Sequence, residues 1–346
     1  MEYEINALFQ EAINRGASDI HLVVDRPPVL RINGELEYMD QFLPLTKETI
    51  ERMINSILNE DQKTHFYHEK DLDLSYELTN GSRFRVNLFW QKDSISLAAR
   101  IISNVVPTMA QIGMPKVAYD LIQNMQGLIL VTGATGCGKS TTLAAMIDQI
   151  NQERTSHIIT LEDPIEFIFP SRKSIIVQRQ LSTDMKSFAG ALKYVMRQDP
   201  DVIMVGEMRD LETIAATLTL AETGHLVLAT LHTHNAAQTI DRIVDVFPPH
   251  QQTQVRAQLS NCLLAVISQQ LLPGITGGRI AAREIMLNTP AVATVIRENK
   301  IQQIKTVIQT SADKGMNTMD QDLDRLIREG KISQETCDYY KTALLR

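Results

Sequence analysis

Gly133-Ala134-Thr135-Gly136-Cys137-Gly138-Lys139-Ser140 has the G-x-x-x-x-G-K-[ST] spacing of a phosphate-holding loop. The glycines let successive backbone N–H groups curl around phosphoryl oxygens. Lys139 adds a point charge at the β- and γ-phosphates, and Ser140 Oγ is placed to ligate Mg²⁺. The apolar run Leu128–Thr132 precedes the loop and a helix-forming stretch from Thr141 follows it, so the motif sits in the strand–loop–helix frame its mechanism requires. The positive end of that helix faces the same phosphates. Gly133 to Thr141 are therefore the expected nucleotide-binding residues. Cys137 lies inside the loop near a helix N-terminus, where thiol pKa values fall.

Acidic and histidine-bearing strands come next. The apolar run Val202–Val205 ends in Gly206 and Glu207. In phosphate-loop NTPases a second strand sets an acid beside the phosphates. Gly206 stands where an aspartate is common, which makes Glu207 the candidate for polarising an attacking water. Thr160-Leu161-Glu162-Asp163-Pro164-Ile165-Glu166 puts three acids within five residues at another strand end. Mg²⁺ would relieve such crowding, with Glu162 ordering water or metal and Asp163 as a further possible ligand. Asp163-Pro164 equally reads as the start of a turn. His225 precedes the strand Leu226–Thr230, and His232 follows it where it can reach a γ-phosphate. A metal reading of these histidines is poor, because no cysteine or second ligand cluster lies near. Arg83 and Arg85 share a strand face at period two, and Arg100 lies on the strand after them. They either clamp a triphosphate or solvate the surface, and the residues alone favour the second reading.

The elements that must position these groups fall into two regions of the 346-residue chain. Residues 1–105 read as a small α+β domain: a helix Ile5–Arg15, a strand Asp19–Val24, a hairpin turning at Asn33-Gly34, an amphipathic helix Thr46–Asn59, and a meander from Leu72 to Ile102. Residues 106–116, with Val106-Pro107-Thr108, read as a linker. From 117 to 346 buried strands alternate with helices, the pattern of an α/β sheet covered on both faces. The closing stretch 289–346 is helical.

Hydrophobic residues at 44% and charged residues at 22% exclude a disordered or collagen-like chain. No apolar run approaches the roughly 18–20 residues of a membrane span. The acidic start Met1-Glu2-Tyr3-Glu4 has no apolar signal core behind it. Three scattered cysteines make neither a disulfide framework nor a CxxC pair, which fits a reducing cytoplasm. Net charge is −7, of which 11 basic and 17 acidic side chains in residues 1–105 account for −6. Neither region is basic enough to hold nucleic acid through its backbone, so no nucleic-acid partner is expected.

Taken together, these motifs resemble the secretion ATPases of the type II secretion and type IV pilus superfamily. Met196 to Asp210 matches that superfamily's signature at every fixed position. Thr160–Glu166 is similar to its aspartate box, and Thr223-Gly224-His225 through Leu231-His232-Thr233 to its histidine box. Ala17-Ser18-Asp19-Ile20-His21-Leu22 and Arg83-Phe84-Arg85-Val86-Asn87 resemble the N-terminal domain of the pilus-retraction branch. The resemblance implies a PAS-like N-terminal domain on a RecA-like core. It also implies hydrolysis of ATP with Mg²⁺ by a cytoplasmic homohexamer at the inner face of the cytoplasmic membrane. The implied partners are an inner-membrane platform protein and a second retraction ATPase, and the implied output is pilus retraction in twitching motility. It further implies that Arg83, Arg85 and Arg100 reach toward a neighbouring nucleotide. An accessory retraction ATPase, or a related pilus-assembly or type II secretion motor, is the alternative. Extension motors are longer and usually carry a four-cysteine zinc motif, which this chain lacks. Where many retraction proteins read Ala-Ile-Arg-Asn-Leu-Ile-Arg-Glu, this chain has Ala293 for the first arginine and keeps Arg297.

Overall fold

The computed structural model describes residues 4–32, 34–102 and 105–344. The first three residues of the acidic start and Asn33 of the hairpin turn lie outside them. The chain divides into two compact units, Met1–Val105 and Val106–Arg346.

The first unit runs α1 (Ile5–Asn14), β1 (Asp19–Leu22), β2 (Val29–Ile32), β3 (Glu35–Tyr38), α2 (Lys47–Ile57), α3 (Glu60–Glu69), β4 (Asp71–Glu77), β5 (Arg83–Gln91) and β6 (Ser94–Ile102). Its strands form one antiparallel sheet in the order β3-β2-β1-β6-β5-β4. Alternation sends Ile20, Leu30, Phe84, Val86 and Leu97 inward against Phe9 of α1, Ile50 and Ile54 of α2 and Phe66 of α3. The intervening residues take the opposite face. There the register sets Arg31 beside Asp19, Asp19 beside Arg100, and Arg100 beside Arg85, a charged row across four neighbouring strands. Thr46 caps α2 by accepting from the Thr49 N–H. The helix α3 is absent from the sequence reading. It is nearly all polar with Phe66 as its buried residue, and it starts from a capping box of Asn59 and Gln62.

The second unit continues with α4 (Lys116–Leu121), β7 (Gly127–Thr132), α5 (Lys139–Glu153), β8 (His157–Glu162), β9 (Ile175–Gln180), α6 (Phe188–Val195), β10 (Val202–Val205), α7 (Leu211–Glu222) and β11 (Leu226–Leu231). After these come α8 (Ala236–Asp245), α9 (Pro249–Cys262), β12 (Leu263–Pro273), β13 (Arg279–Leu287), α10 (Pro290–Arg297), α11 (Ile304–Thr310), α12 (Met319–Arg328) and α13 (Gln334–Leu344). The sheet order is β13-β12-β7-β11-β10-β8-β9, parallel except for β13. Both faces are apolar: Leu128 and Leu130 of β7 join one core, and Ile129 and Val131 join the other.

Two features differ from the sequence reading. The hairpin β12–β13 adds two strands to the side of the sheet next to β7. Residues 106–116 are not a loose connector: Met109 and Met114 are buried in the core shared with α5. The Arg283 guanidinium donates to the carbonyls of Ile112 at 2.8 Å and Gly113 at 3.1 Å. That contact ties the segment to β13.

Candidate nucleotide site

Four neighbouring parallel strands, β7, β11, β10 and β8, end on the same edge of the sheet. They deliver Lys139, His232, Glu207 and Glu162 respectively. In open α/β sheets ligands bind outside the carboxyl ends of strands, and the phosphate loop leaves β7 there. Gly133 turns the chain at φ 143 with its backbone pressed on β12. A Cβ at this position would stand 2.4 Å from the Gln269 carbonyl oxygen and 2.6 Å from Cys137 Sγ, so only glycine fits. Ala134, Thr135 and Gly136 are exposed, while Gly138, Lys139, Ser140 and Thr141 are half-buried at the start of α5. The Lys139 ammonium donates to the carbonyls of Gly133 at 2.8 Å and Ala134 at 3.0 Å. Burial pulls its pKa down, and the opposite charges that resist this include Glu207 and Glu166.

Glu207 is held from two sides. Its Oε2 lies 2.7 Å from Arg209 Nε and 3.5 Å from His232 Nε2, and its side chain is 13% exposed. The backbone beneath it is fixed at Gly206, whose N–H donates to the Leu161 carbonyl at 2.7 Å. The Gly206 carbonyl accepts from Thr230 Oγ1. A Cβ on Gly206 would meet Leu161 O at 3.0 Å and Glu162 Cα at 3.3 Å. The close approach of β8 to β10 leaves little room for a side chain at this position.

Glu162 is buried, with Thr160 Oγ1 donating to its Oε1 at 2.6 Å and Gln178 Nε2 at 3.1 Å. Burial outweighs both hydrogen bonds and pushes its pKa up to about 7. The three acids read together in sequence differ in exposure: Asp163 and Glu166 are exposed, whereas Glu162 is buried and hydrogen-bonded by Thr160 and Gln178. Among the described residues no group of three or more His, Cys, Asp or Glu could hold a metal ion by itself. Ser140 stands half-buried in the first turn of α5, next to Lys139. His225 is spent elsewhere, its Nδ1 lying 3.0 Å from the Leu220 carbonyl.

The Cys137 expectation is corrected. The thiol is buried, and desolvation raises its pKa despite Lys139 and the helix end nearby. The arginines all lie on the charged face of the first unit, each beside an acid. Arg83 is 2.7 Å from Glu77, Arg100 is 2.8 Å from Asp19, and Arg85 is 4.0 Å from Asp73. Sequence reasoning passed over Arg209, Gln178 and Gln269. Arg209 follows Glu207 by two residues, a visible signal; Gln178 and Gln269 come from strands whose positions only the sheet order reveals.

Residues 1–338 match the family model described as type II/IV secretion system protein. The chain is 46% identical over 332 residues to the type IV pilus retraction ATPase PilT of Pseudomonas aeruginosa, covering 96% of each. It is 48% identical over 310 residues to a twitching motility protein of Neisseria gonorrhoeae, covering 89% of this chain and 82% of that one. The crystal structure of the pilus retraction motor PilT with bound ADP superposes with a TM-score of 0.92 at 46% identity, covering 97% of this chain and 96% of that one.

Proposed function

The chain belongs to the type II/IV secretion system protein family, and from that premise we propose that it is an ATP-hydrolysing motor that powers type IV pilus retraction. The observation that carries this reading is the arrival of the phosphate loop, the Glu207–His232 pair and Glu162 at the ends of four neighbouring parallel strands, in a fold shared over nearly the whole length with an ADP-bound retraction motor. In this reading the amides of Gly133–Ser140 and the Lys139 ammonium hold the phosphate chain. Glu207, steered by Arg209 and His232, accepts a hydrogen bond from the attacking water and orients it in line with the γ-phosphate. Glu162 holds or releases a proton near neutrality at the end of the next strand. Ser140 would hold Mg²⁺, which would supply positive charge to the nucleotide's phosphates.

A homohexamer is the assembly proposed here. Among the described residues no helix is long and apolar enough to cross a membrane. The proposed working place is the cytoplasmic face of the inner membrane, beneath a platform protein. Deleting the gene tests the direction of work: surplus surface pili mean retraction, whereas bald cells mean assembly and overturn it.

A further inference from the structure

Gln269, 1% exposed on β12, touches the phosphate loop and the helix that follows it at three points. Its Nε2 donates to the Cys137 carbonyl at 2.8 Å, and its Oε1 accepts from Thr142 Oγ1 at 2.9 Å. Its own main-chain carbonyl lies against Gly133. One residue thus spans the first glycine of the loop, the peptide before Gly138, and the first turn of α5. Beside it, Thr132 Oγ1 and Ser268 Oγ share a buried hydrogen bond at 2.8 Å, which fixes β12 against β7 where the loop begins.

We propose that Gln269 is a positioning residue for nucleotide binding, acting by fixing the Cys137–Gly138 peptide so that the Gly138 N–H faces the phosphates. A trans peptide is planar, with its C=O and N–H on opposite sides. The Cys137 carbonyl points at Gln269, so the Gly138 N–H points away from β12. Gly138 has φ 87 and no side chain to restrict that plane, which leaves the carbonyl anchor to set it. The Thr142 hydroxyl in turn decides which end of the amide faces the carbonyl, because it donates to Oε1 and leaves Nε2 for Cys137. Gln269 is sealed from solvent and acts only through the loop. This inference rests on the nucleotide-binding reading and deepens it.

The test measures ADP affinity and the KM and kcat for ATP of the full chain at pH 6 and pH 8, in wild type, Gln269→Glu and Gln269→Met. At pH 8 the ionised glutamate cannot donate to the Cys137 carbonyl. ADP binding should weaken about tenfold, the worth of one hydrogen bond, and KM should rise with little change in kcat. Burial raises the pKa of the introduced carboxyl, and its protonated form regains a donor. ADP affinity of Gln269→Glu should therefore recover toward wild type at pH 6, whereas Gln269→Met, with no donor, stays weak at both. Wild-type affinity of Gln269→Met, or a loss in Gln269→Glu that does not change with pH, overturns the role. If Gln269→Glu does not fold, wild-type affinity in Gln269→Met overturns it. Failure of the wild-type chain to bind ADP would remove the functional reading itself, a different result from binding that the variants leave unaltered.

Discussion

Glu207 and His232, 25 residues apart in sequence, face each other across adjacent parallel strands with His232 Nε2 3.5 Å from Glu207 Oε2. The pairing of Val205 with Ala229 carries the two chains out of the sheet in step, and the Met208 N–H continues it by donating to the Thr230 carbonyl at 3.1 Å. The acid therefore has a defined direction at the strand end. Replacing His232 by alanine should leave nucleotide binding intact and lower kcat by about tenfold or more, the scale of a misaligned catalytic group. Equal kcat in the variant, by coupled-enzyme assay, would detach His232 from Glu207.

Gly206 sets the height of that acid. Gly206→Ala forces a Cβ to within 3.0 Å of the Leu161 carbonyl, against backbone that cannot yield cheaply. Thermal melts should show a loss of about 1–3 kcal/mol, the usual cost of overpacking, together with a fall in hydrolysis. A fully stable and active variant would mean that β8 and β10 are not this close.

Glu162 gives stability a pH dependence. The folded chain keeps its proton up to about pH 7, whereas an unfolded glutamate releases it near 4.5. Between those values the folded state binds more protons, so stability falls as pH rises. Glu162→Gln has no charge to bury and should be more stable than wild type by about 3 kcal/mol at pH 8, with the gap closing toward pH 5. Denaturation at several pH values checks this, and a gap independent of pH would place the ionised carboxylate in a solvated site.

Much of this site is legible in the sequence, and the parts that are not share a cause. The phosphate loop, Glu207 and His232 stand at the ends of apolar runs, and those runs are the strands. The run Leu263–Ile267 breaks into Ser268-Gln269-Gln270, and so it does not read as a strand. Ser268 and Gln269 are nonetheless buried, because they hydrogen-bond Thr132, Cys137 and Thr142. A polar group that serves a partner distant in sequence erases the local pattern by which its strand would be recognised. In α3 the opposite happens: polar residues dominate because the helix needs only Phe66 to dock, and the cap at Asn59 was the remaining sign. Cys137 shows a third case, where a local rule about helix ends loses to burial that only the tertiary structure supplies.

That burial changes what thiol reagents should do. Cys137, Cys262 and Cys337 are all buried, and the Cys262 thiol is pushed up to about 12. Alkylation of the native chain at pH 7.5 should be slow at all three positions and fast once the chain is unfolded. Rapid modification of Cys137 in the folded chain, blocked by ATP, would restore the activated thiol that the helix end suggests.

The arginines bear on assembly. If Arg85 or Arg100 serves a neighbouring subunit, Arg100→Ala and Lys139→Ala chains should each be nearly inactive. Mixed, they should regain part of the activity, since a trans-acting arginine is worth about 10³–10⁵ in rate. No recovery in well-mixed oligomers, or full activity in a monomer, would confine these arginines to their ion pairs with Asp19 and Asp73.

The most direct measurement compares ATP binding and Mg²⁺-dependent phosphate release by wild type and Glu207→Gln. The amide keeps the size of the side chain but is a poor acceptor for the water's proton. Glu207→Gln should bind ATP as tightly as wild type and hydrolyse it about 10²–10⁴ times more slowly. Hydrolysis at the wild-type rate by Glu207→Gln would contradict the assignment of the water-polarising group and move it to Glu162.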